Sequence, residues 1–362
     1  MIKTELLTLE REKEYENFLL TDDRVLFTSS LKFRELIRRI TGASDNYLIA
    51  VEDDRIIGSL PAFLKTNEKY GNVLNSLPWY GSNPGISVDP DYPDRQQLKI
   101  ALLNAFQELA QEKKAVTSTI ITRPFELDLE LYQNYSKYDF LDSRIGMITP
   151  LPKFSNDIEV DLMAMIHLKT RNLLRKAQKS GMRFYHDNSP EAIRFLIDTH
   201  EKNMEAVGAP PKDETLFNEI TQIFSHDQDY RIYIAEFEGI KIAALLLMYF
   251  SKTVDYLTPA IVAEYRSYQP LNLLIFNAMK DAAERGFCYW NWGGTTLPSQ
   301  EGVYHFKKRW GSQECQYYYY VHSYRDISEI LSLSEETLLS EYPFFFVLPF
   351  SQLQCNQEKG KN

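Results

Sequence analysis

Cysteine is scarce in this chain of 362 residues: Cys288, Cys315 and Cys355 lie far apart, with no Cys-x-x-Cys pair. That excludes a disulfide framework and a cysteine-built zinc site. Histidine is almost as rare. His167, His186, His200, His226, His305 and His322 show no ligand spacing along the chain, and His200-Glu201 lacks the second histidine of a zincin helix. No Walker A loop, G-x-S-x-G elbow or G-x-G-x-x-G turn is present, so the common nucleotide and serine-hydrolase signatures are missing. Long apolar runs are missing too. The longest, Ile242 to Phe250, is too short to span a bilayer and reads as a buried strand. The opening MIKTELLTLEREKEYENF has no signal-peptide core, so the expectation is a cytoplasmic protein without a transmembrane segment, for which peripheral membrane contact stays open. Nor is there an excess of positive charge. At a net −10 the chain lacks the basic face that DNA binding requires, although a local basic patch can still meet phosphates.

What is present fits an ordinary globular protein: 44% apolar and 25% charged residues, enough for a sizeable core. The length suggests about two domains, at ~150 residues each. Two hairpin signals organise the chain. YLIAVEDDRIIGSLPAF, from Tyr47, and RIYIAEFEGIKIAALLL, from Arg231, each read strand, acidic tight turn, strand. Each leads into further β structure, an amphipathic helix (Gln96–Lys114; Pro270–Arg285) and another strand (Ala115–Ile121; Cys288–Trp292). One β-β-β-α-β unit used twice is the inference. The proline-bearing linker Thr149–Pro152 sets the boundary, giving domains over 1–150 and 151–322. Residues 323–362 form a tail whose apolar YPFFFVLPF packs back on the first domain, with disordered last residues.

Four segments carry candidate chemistry. HLKTRNLLRKAQKSGMRF places Lys169, Arg171 and Arg175 on a helix read over Leu162–Ser180, with no acid among them. Such a row attracts phosphates. NWGGTTLPSQEGVYHFKKRWG pairs Gly293 and Gly294 after Trp292, then sets Tyr304, Phe306 and Lys307 before Trp310-Gly311. Paired glycines permit a sharp turn, and a lysine beside aromatics can stabilise an oxyanion. Strand-like alternation would send Lys307 and Lys308 to opposite faces. LPWYGSNPGI, with Trp79 and Tyr80, is the third segment, and TPAIVAEYRSYQPLNLL, with Arg266, is the fourth.

The basic helix ending in Lys-x-Gly, Tyr-Arg-x-x-x-Pro-x-x-Leu-Leu, Gly-Gly-Thr and Gly-Val-x-x-Phe-Lys-x-x-Trp-Gly occur in that order. This resembles the FemAB family of peptidoglycan-bridge aminoacyltransferases and their BioF2-like acetyltransferase relatives, within the GNAT superfamily. The resemblance covers nearly the whole chain and is sharpest over residues 165–320. It implies an α/β fold of mixed sheets, in two tandem GNAT-like acyltransferase domains facing a shared cleft. It implies transfer of an acyl or aminoacyl group to an amine of a nucleotide- or lipid-linked cell-envelope precursor. The co-substrate would be aminoacyl-tRNA or acyl-CoA, with no tightly bound cofactor and no metal, and charged tRNA would be a partner. By motif match, Lys307 and Phe306 are catalytic; Lys169, Arg171, Arg175, Trp79, Tyr80, Trp292, Gly293, Gly294, Tyr304 and Arg266 bind substrate.

One departure bears on the donor. The segment Glu264–Pro270, before the helix that would grip CoA pyrophosphate, contains no glycine, which disfavours CoA. A CoA-dependent N-acetyltransferase acting on an amino sugar in surface polysaccharide synthesis, and a non-catalytic GNAT-like binding protein, remain the alternatives.

Overall fold

The computed structural model describes residues 2–78, 83–153 and 157–354. It divides into two compact units: residues 1–144 with 316–362, and residues 145–315.

The first unit opens with strand β1 (Lys3–Leu6) and helices α1 (Glu12–Leu19) and α2 (Leu31–Thr41). Ser30 starts α2 by accepting from Phe33 N, and Gly42 ends it in the left-handed region. Strands β2 (Ser44–Asp45), β3 (Leu48–Glu52), β4 (Arg55–Leu60), β5 (Phe63–Lys65), β6 (Asn72–Asn75) and β7 (Ser87–Val88) follow. Then come helix α3 (Arg95–Glu112), strand β8 (Ala115–Ile121), helix α4 (Leu129–Tyr135) and strand β9 (Phe140–Pro150). The order β1-β3-β4-β7 makes one sheet, and β8-β6-β5-β2 a second run. Leu98, Leu102, Leu103 and Phe106 of α3 are buried against Ala50, Ile57, Leu60 and Ile120. The short β1 has no local signal of its own. Its Lys3-Thr4-Glu5-Leu6 is extended because it pairs with β3.

The second unit begins with helices α5 (Ile158–Met165) and α6 (Leu168–Gln178). The sequence suggested one helix across Leu162–Ser180. The break has a local cause: Ile166 is extended and His167 restarts the helix by accepting from Lys169 N. Strand β10 (Arg183–His186), helices α7 (Pro190–Glu205) and α8 (Glu214–Ile223), and strands β11 (Tyr230–Phe237), β12 (Ile240–Phe250) and β13 (Thr253–Ile261) come next. Helix α9 (Pro270–Glu284), strand β14 (Tyr289–Thr295) and helix α10 (Glu301–Lys308) complete the unit. The sheet order is β10-β11-β12-β13-β14-β9, in which only the β13–β14 pair is parallel. Helix α9 buries Leu274, Ile275, Ala278, Met279 and Ala282 in one core with Ala243, Leu245 and Leu247 of β12. The chain then returns to the first unit through strand β15 (Gln313–Ser323) and helices α11 (Ser328–Leu331) and α12 (Glu335–Glu341). Tyr342, Val347, Leu348 and Leu353 are buried there, and Phe346 O accepts from Thr119.

Both units thus carry hairpin, strand, helix, strand in the same order: β3-β4-β7-α3-β8 and β11-β12-β13-α9-β14. In the first unit the third strand shrinks to two residues, preceded by the inserted β5–β6 hairpin.

Candidate active site

Strands β13 and β14 pair only over Thr253–Asp255 with Tyr289–Asn291, although both continue. Their separation opens the sheet at Tyr256 and Trp292. Irregularities mark both sides of the opening. On β13 the register against β12 skips Leu257, since Leu246 faces Thr258 and Leu247 faces Tyr256. On β14 the register against β9 shifts between Asn291 and Gly294. Such bulges re-aim backbone groups. The β14 bulge needs glycine: Gly293 has φ +70°, and a Cβ there would meet nothing within 4 Å, so conformation and not space selects it.

A buried relay fixes the bulge. Asn291 Nδ2 donates to Asp255 Oδ1 at 2.7 Å, and Asn291 Oδ1 accepts from Gly293 N at 2.9 Å. Beneath it, Trp292 Nε1 donates to Thr149 Oγ1 at 2.9 Å, and Thr149 donates on to Trp310 O at 3.1 Å. Trp292 also packs against Tyr256, Phe306 and Trp310, with ring centroids 5.0, 6.2 and 6.0 Å away. Desolvation raises the pKa of Tyr256.

Lys307 comes to this bulge from α10. Residues 301–308 are helical, not extended as the alternation argument assumed. Successive side chains then diverge by about 100°, which still separates the two lysines. Lys307 is 6% exposed. Its ammonium donates to Gly294 O at 2.9 Å, Thr295 Oγ1 at 3.0 Å and, more weakly, Gly293 O at 3.5 Å. Burial lowers its pKa to about 8. Lys308 is exposed and binds Glu314 and the Tyr304 hydroxyl, and its hydrogen bonds to Glu314 and Tyr304 raise its pKa.

Lys307, Phe306, Trp292, Gly293, Gly294 and Tyr304 are therefore gathered along β14 and α10. The other predicted residues stand elsewhere. Lys169 and Arg175 are exposed on α6. Arg171 is half-buried: its guanidinium reaches Met163 O only at 3.4 Å, and its Nε is buried without a partner among the described residues. Helix α6 starts beside the end of α10, where His167 N donates to Arg309 O at 2.9 Å. Arg266 is exposed on the turn before α9. Trp79 and Tyr80 lie outside the described residues. Sequence reasoning missed Asp255, Asn291 and Tyr256, whose partners lie on other strands.

The start of α9 is built without glycine. Gln269 caps it in the left-handed region at φ +62°, and Pro270 at the first position has no N–H. The amides of Asn272 and Leu273 both turn back to Gln269 O, at 3.1 and 3.4 Å.

Residues 168–308 match the family described as acetyltransferase (GNAT) domain. The second unit holds a GNAT domain. Its parted parallel strands, helix α9 and bulged β14 lie within that match. No curated protein sequence matches the chain. Among solved structures, FemX is similar over 91% of this chain and 98% of its own, with a TM-score of 0.72 at 17% identity. A tandem GNAT protein from the clavulanic acid biosynthesis pathway is similar over 90% of this chain and 99% of its own, with a TM-score of 0.52 at 10% identity. L-PGS from Bacillus licheniformis covers 87% of this chain and 97% of its own, with a TM-score of 0.51 at 11% identity. Over nearly its whole length the chain shares the fold of FemX. Among the described residues no helix is long and apolar enough to cross a membrane.

Proposed function

We propose that the protein forms an amide by moving an acyl or aminoacyl group from an activated ester or thioester to an amine. The acceptor would be a nucleotide- or lipid-linked cell-envelope precursor, an amino sugar or peptide, met in the cytoplasm. The observation that carries this reading is the buried Lys307 ammonium at the bulge where β13 and β14 part. Acyl transfer needs orientation, and positive charge where the carbonyl oxygen becomes an oxyanion. The acceptor nitrogen attacks the donor carbonyl, the C–N bond forms, the C–O or C–S bond breaks, and the amine proton leaves with the departing alcohol or thiol. Lys307 holds the β14 carbonyls and turns its weakest contact, to Gly293 O at 3.5 Å, toward the developing oxyanion. Phe306 and Trp292 wall the acyl pocket. Arg171, half-buried and held by a 3.4 Å contact to Met163 O, supplies a phosphate contact through its outer guanidinium nitrogens, helped by exposed Lys169 and Arg175.

The α9 start disfavours CoA, and so favours aminoacyl-tRNA as donor, because Pro270 has no N–H and the amides of Gln269 and Asn272 are already bonded to Arg266 O and Gln269 O. The GNAT match itself favours the second reading, a CoA-dependent N-acetyltransferase on an amino sugar. Thermal denaturation with CoA separates them. Ligand at a hundredfold excess over its dissociation constant adds about 2.7 kcal/mol, so a clear rise with CoA, and none with a minimal aminoacyl-nucleotide ester, overturns the aminoacyl reading.

A further inference from the structure

We propose that His186, His226 and Asp227 form a binding site for one divalent transition-metal ion of the zinc class. Nothing in the acyl-transfer reading uses these residues. His186 ends the edge strand β10, opposite Tyr233 of β11. His226 and Asp227 lie in the tight loop between α8 and β11. Far apart in the sequence, they are joined by the fold so that one ligand atom from each lies within 4.8 Å of the others.

The spacing of His226 and the Asp227 Oδ2 oxygen suits a tetrahedral ion, and His186 lies against the other oxygen of the same carboxylate. Bonds of about 2.0–2.1 Å to nitrogen and oxygen put neighbouring ligand atoms ~3.3 Å apart. His226 Nδ1 lies 3.2 Å from Asp227 Oδ2, and His186 Nδ1 lies 3.6 Å from Asp227 Oδ1. The two imidazole rings stand 5.9 Å apart, centre to centre. Closing the triad on Oδ2 needs a rotation of His186, whose side chain is 43% exposed, from its present place beside Asp227 Oδ1 and the Tyr233 ring.

The backbone is held for this arrangement. Asp227 sits in the left-handed region at φ +66°, a conformation Asp tolerates better than most residues. Its N–H donates to Tyr230 O at 3.0 Å, and its carbonyl accepts from Arg285 at 2.8 Å. The guanidinium of Arg231 occupies Asp227 Oδ1 at 2.8 Å and is itself balanced by Asp281. The second oxygen, Oδ2, is the one facing His226. Two imidazoles with one carboxylate is a donor set for zinc, cobalt, nickel or copper, and not for calcium or magnesium, which take oxygen ligands. His226 Nε2 has no hydrogen-bond partner among the described residues, so the outer support that tightens zinc sites is missing at that ring, and the affinity should be modest. A bound ion would staple the loop entering β11 to the edge strand β10.

The test is a Co(II) titration of the full, untagged chain, followed by visible absorption and then by competition with Zn(II). The expected result is one equivalent of Co(II) with the intense absorption of a four-coordinate ion, lost when zinc is added. His186→Ala and His226→Ala should each weaken binding at least tenfold while circular dichroism stays native, and His322→Ala should bind as the parent does. A spectrum of hydrated Co(II) only, or a four-coordinate band unchanged in the first two variants, overturns the site.

Discussion

The Lys307 ammonium and the Gly294 carbonyl meet at 2.9 Å, which ties the last helix of the GNAT domain to the bulged end of its parted strand. In the transfer reaction proposed above, this buried cation is the group that meets the developing negative charge. The contact also commits that cation to three backbone and hydroxyl acceptors on one strand. Lys307→Met keeps the length and removes the charge. Transfer should fall by ~10²–10³-fold, while Lys308→Met, on an exposed side chain, should change it little. Initial rates with both variants check this, and equal loss in the two would assign the effect to the surface.

The lowered pKa of Lys307 gives stability and activity opposite pH dependence. Its folded value is about 8, against ~10.4 for an exposed lysine in the unfolded chain. Between those values the unfolded chain binds more protons, so the Lys307 contribution makes stability rise with pH. Over the same window the folded protein loses the ammonium that the proposed transfer step requires. A descending limb near pH 8 in the rate profile is therefore expected without unfolding. In Lys307→Met the residual rate should lack that limb.

Gly293 tests the bulge. With φ at +70° and open space around its Cβ position, Gly293→Ala introduces conformational strain without a clash. The expected cost is ~1–2 kcal/mol, read by urea unfolding, together with a loss of rate larger than that stability change explains. Unaltered kinetics would mean that the bulge does not aim the reacting groups.

In the first unit, Lys99 is buried against Glu126 at 2.7 Å and Asp128 at 2.8 Å, beside a cavity of about 460 Å³ that Arg24 and Arg123 also line. Glu126 is only 2% exposed at its side chain. Lys99→Met removes the cation from that carboxylate, which keeps hydrogen bonds from Leu127 N, Asp128 N and the Tyr132 hydroxyl, and should cost ~3 kcal/mol. Denaturant midpoints of Lys99→Met and the Lys99→Met/Glu126→Gln double variant check this, the second change restoring part of the loss.

Much of this architecture is legible from local signals. The acidic turns Glu52–Asp54 and Glu238-Gly239 mark the hairpins, and Pro270 and Gly286 bracket α9. The Phe306-Lys307 element and the Gly293-Gly294 pair could be named from their order alone, and they do meet. Other features depend on the rest of the fold. Strand β10 is four residues with charged ends, extended because β11 offers it a partner. Helix α10 begins Glu301-Gly302-Val303, a poor helical signal, yet it forms and buries Lys307, with Trp310 buried on the turn that follows. Asp255 and Asn291 lie 36 residues apart and meet only because β13 and β14 pair in parallel. The convergence of His186 with His226 has the same origin.

The central claim, amide formation at the β13–β14 opening, is tested most directly by mass spectrometry of acceptors. The protein is incubated with a pool of amine-bearing nucleotide-sugars and peptide precursors, once with aminoacyl-tRNA and once with acyl-CoA. One acceptor should gain the mass of a single acyl or aminoacyl group, at a rate that Lys307→Met lowers at least a hundredfold. No mass gain with either donor from folded protein, or a gain that Lys307→Met leaves unchanged, would contradict it.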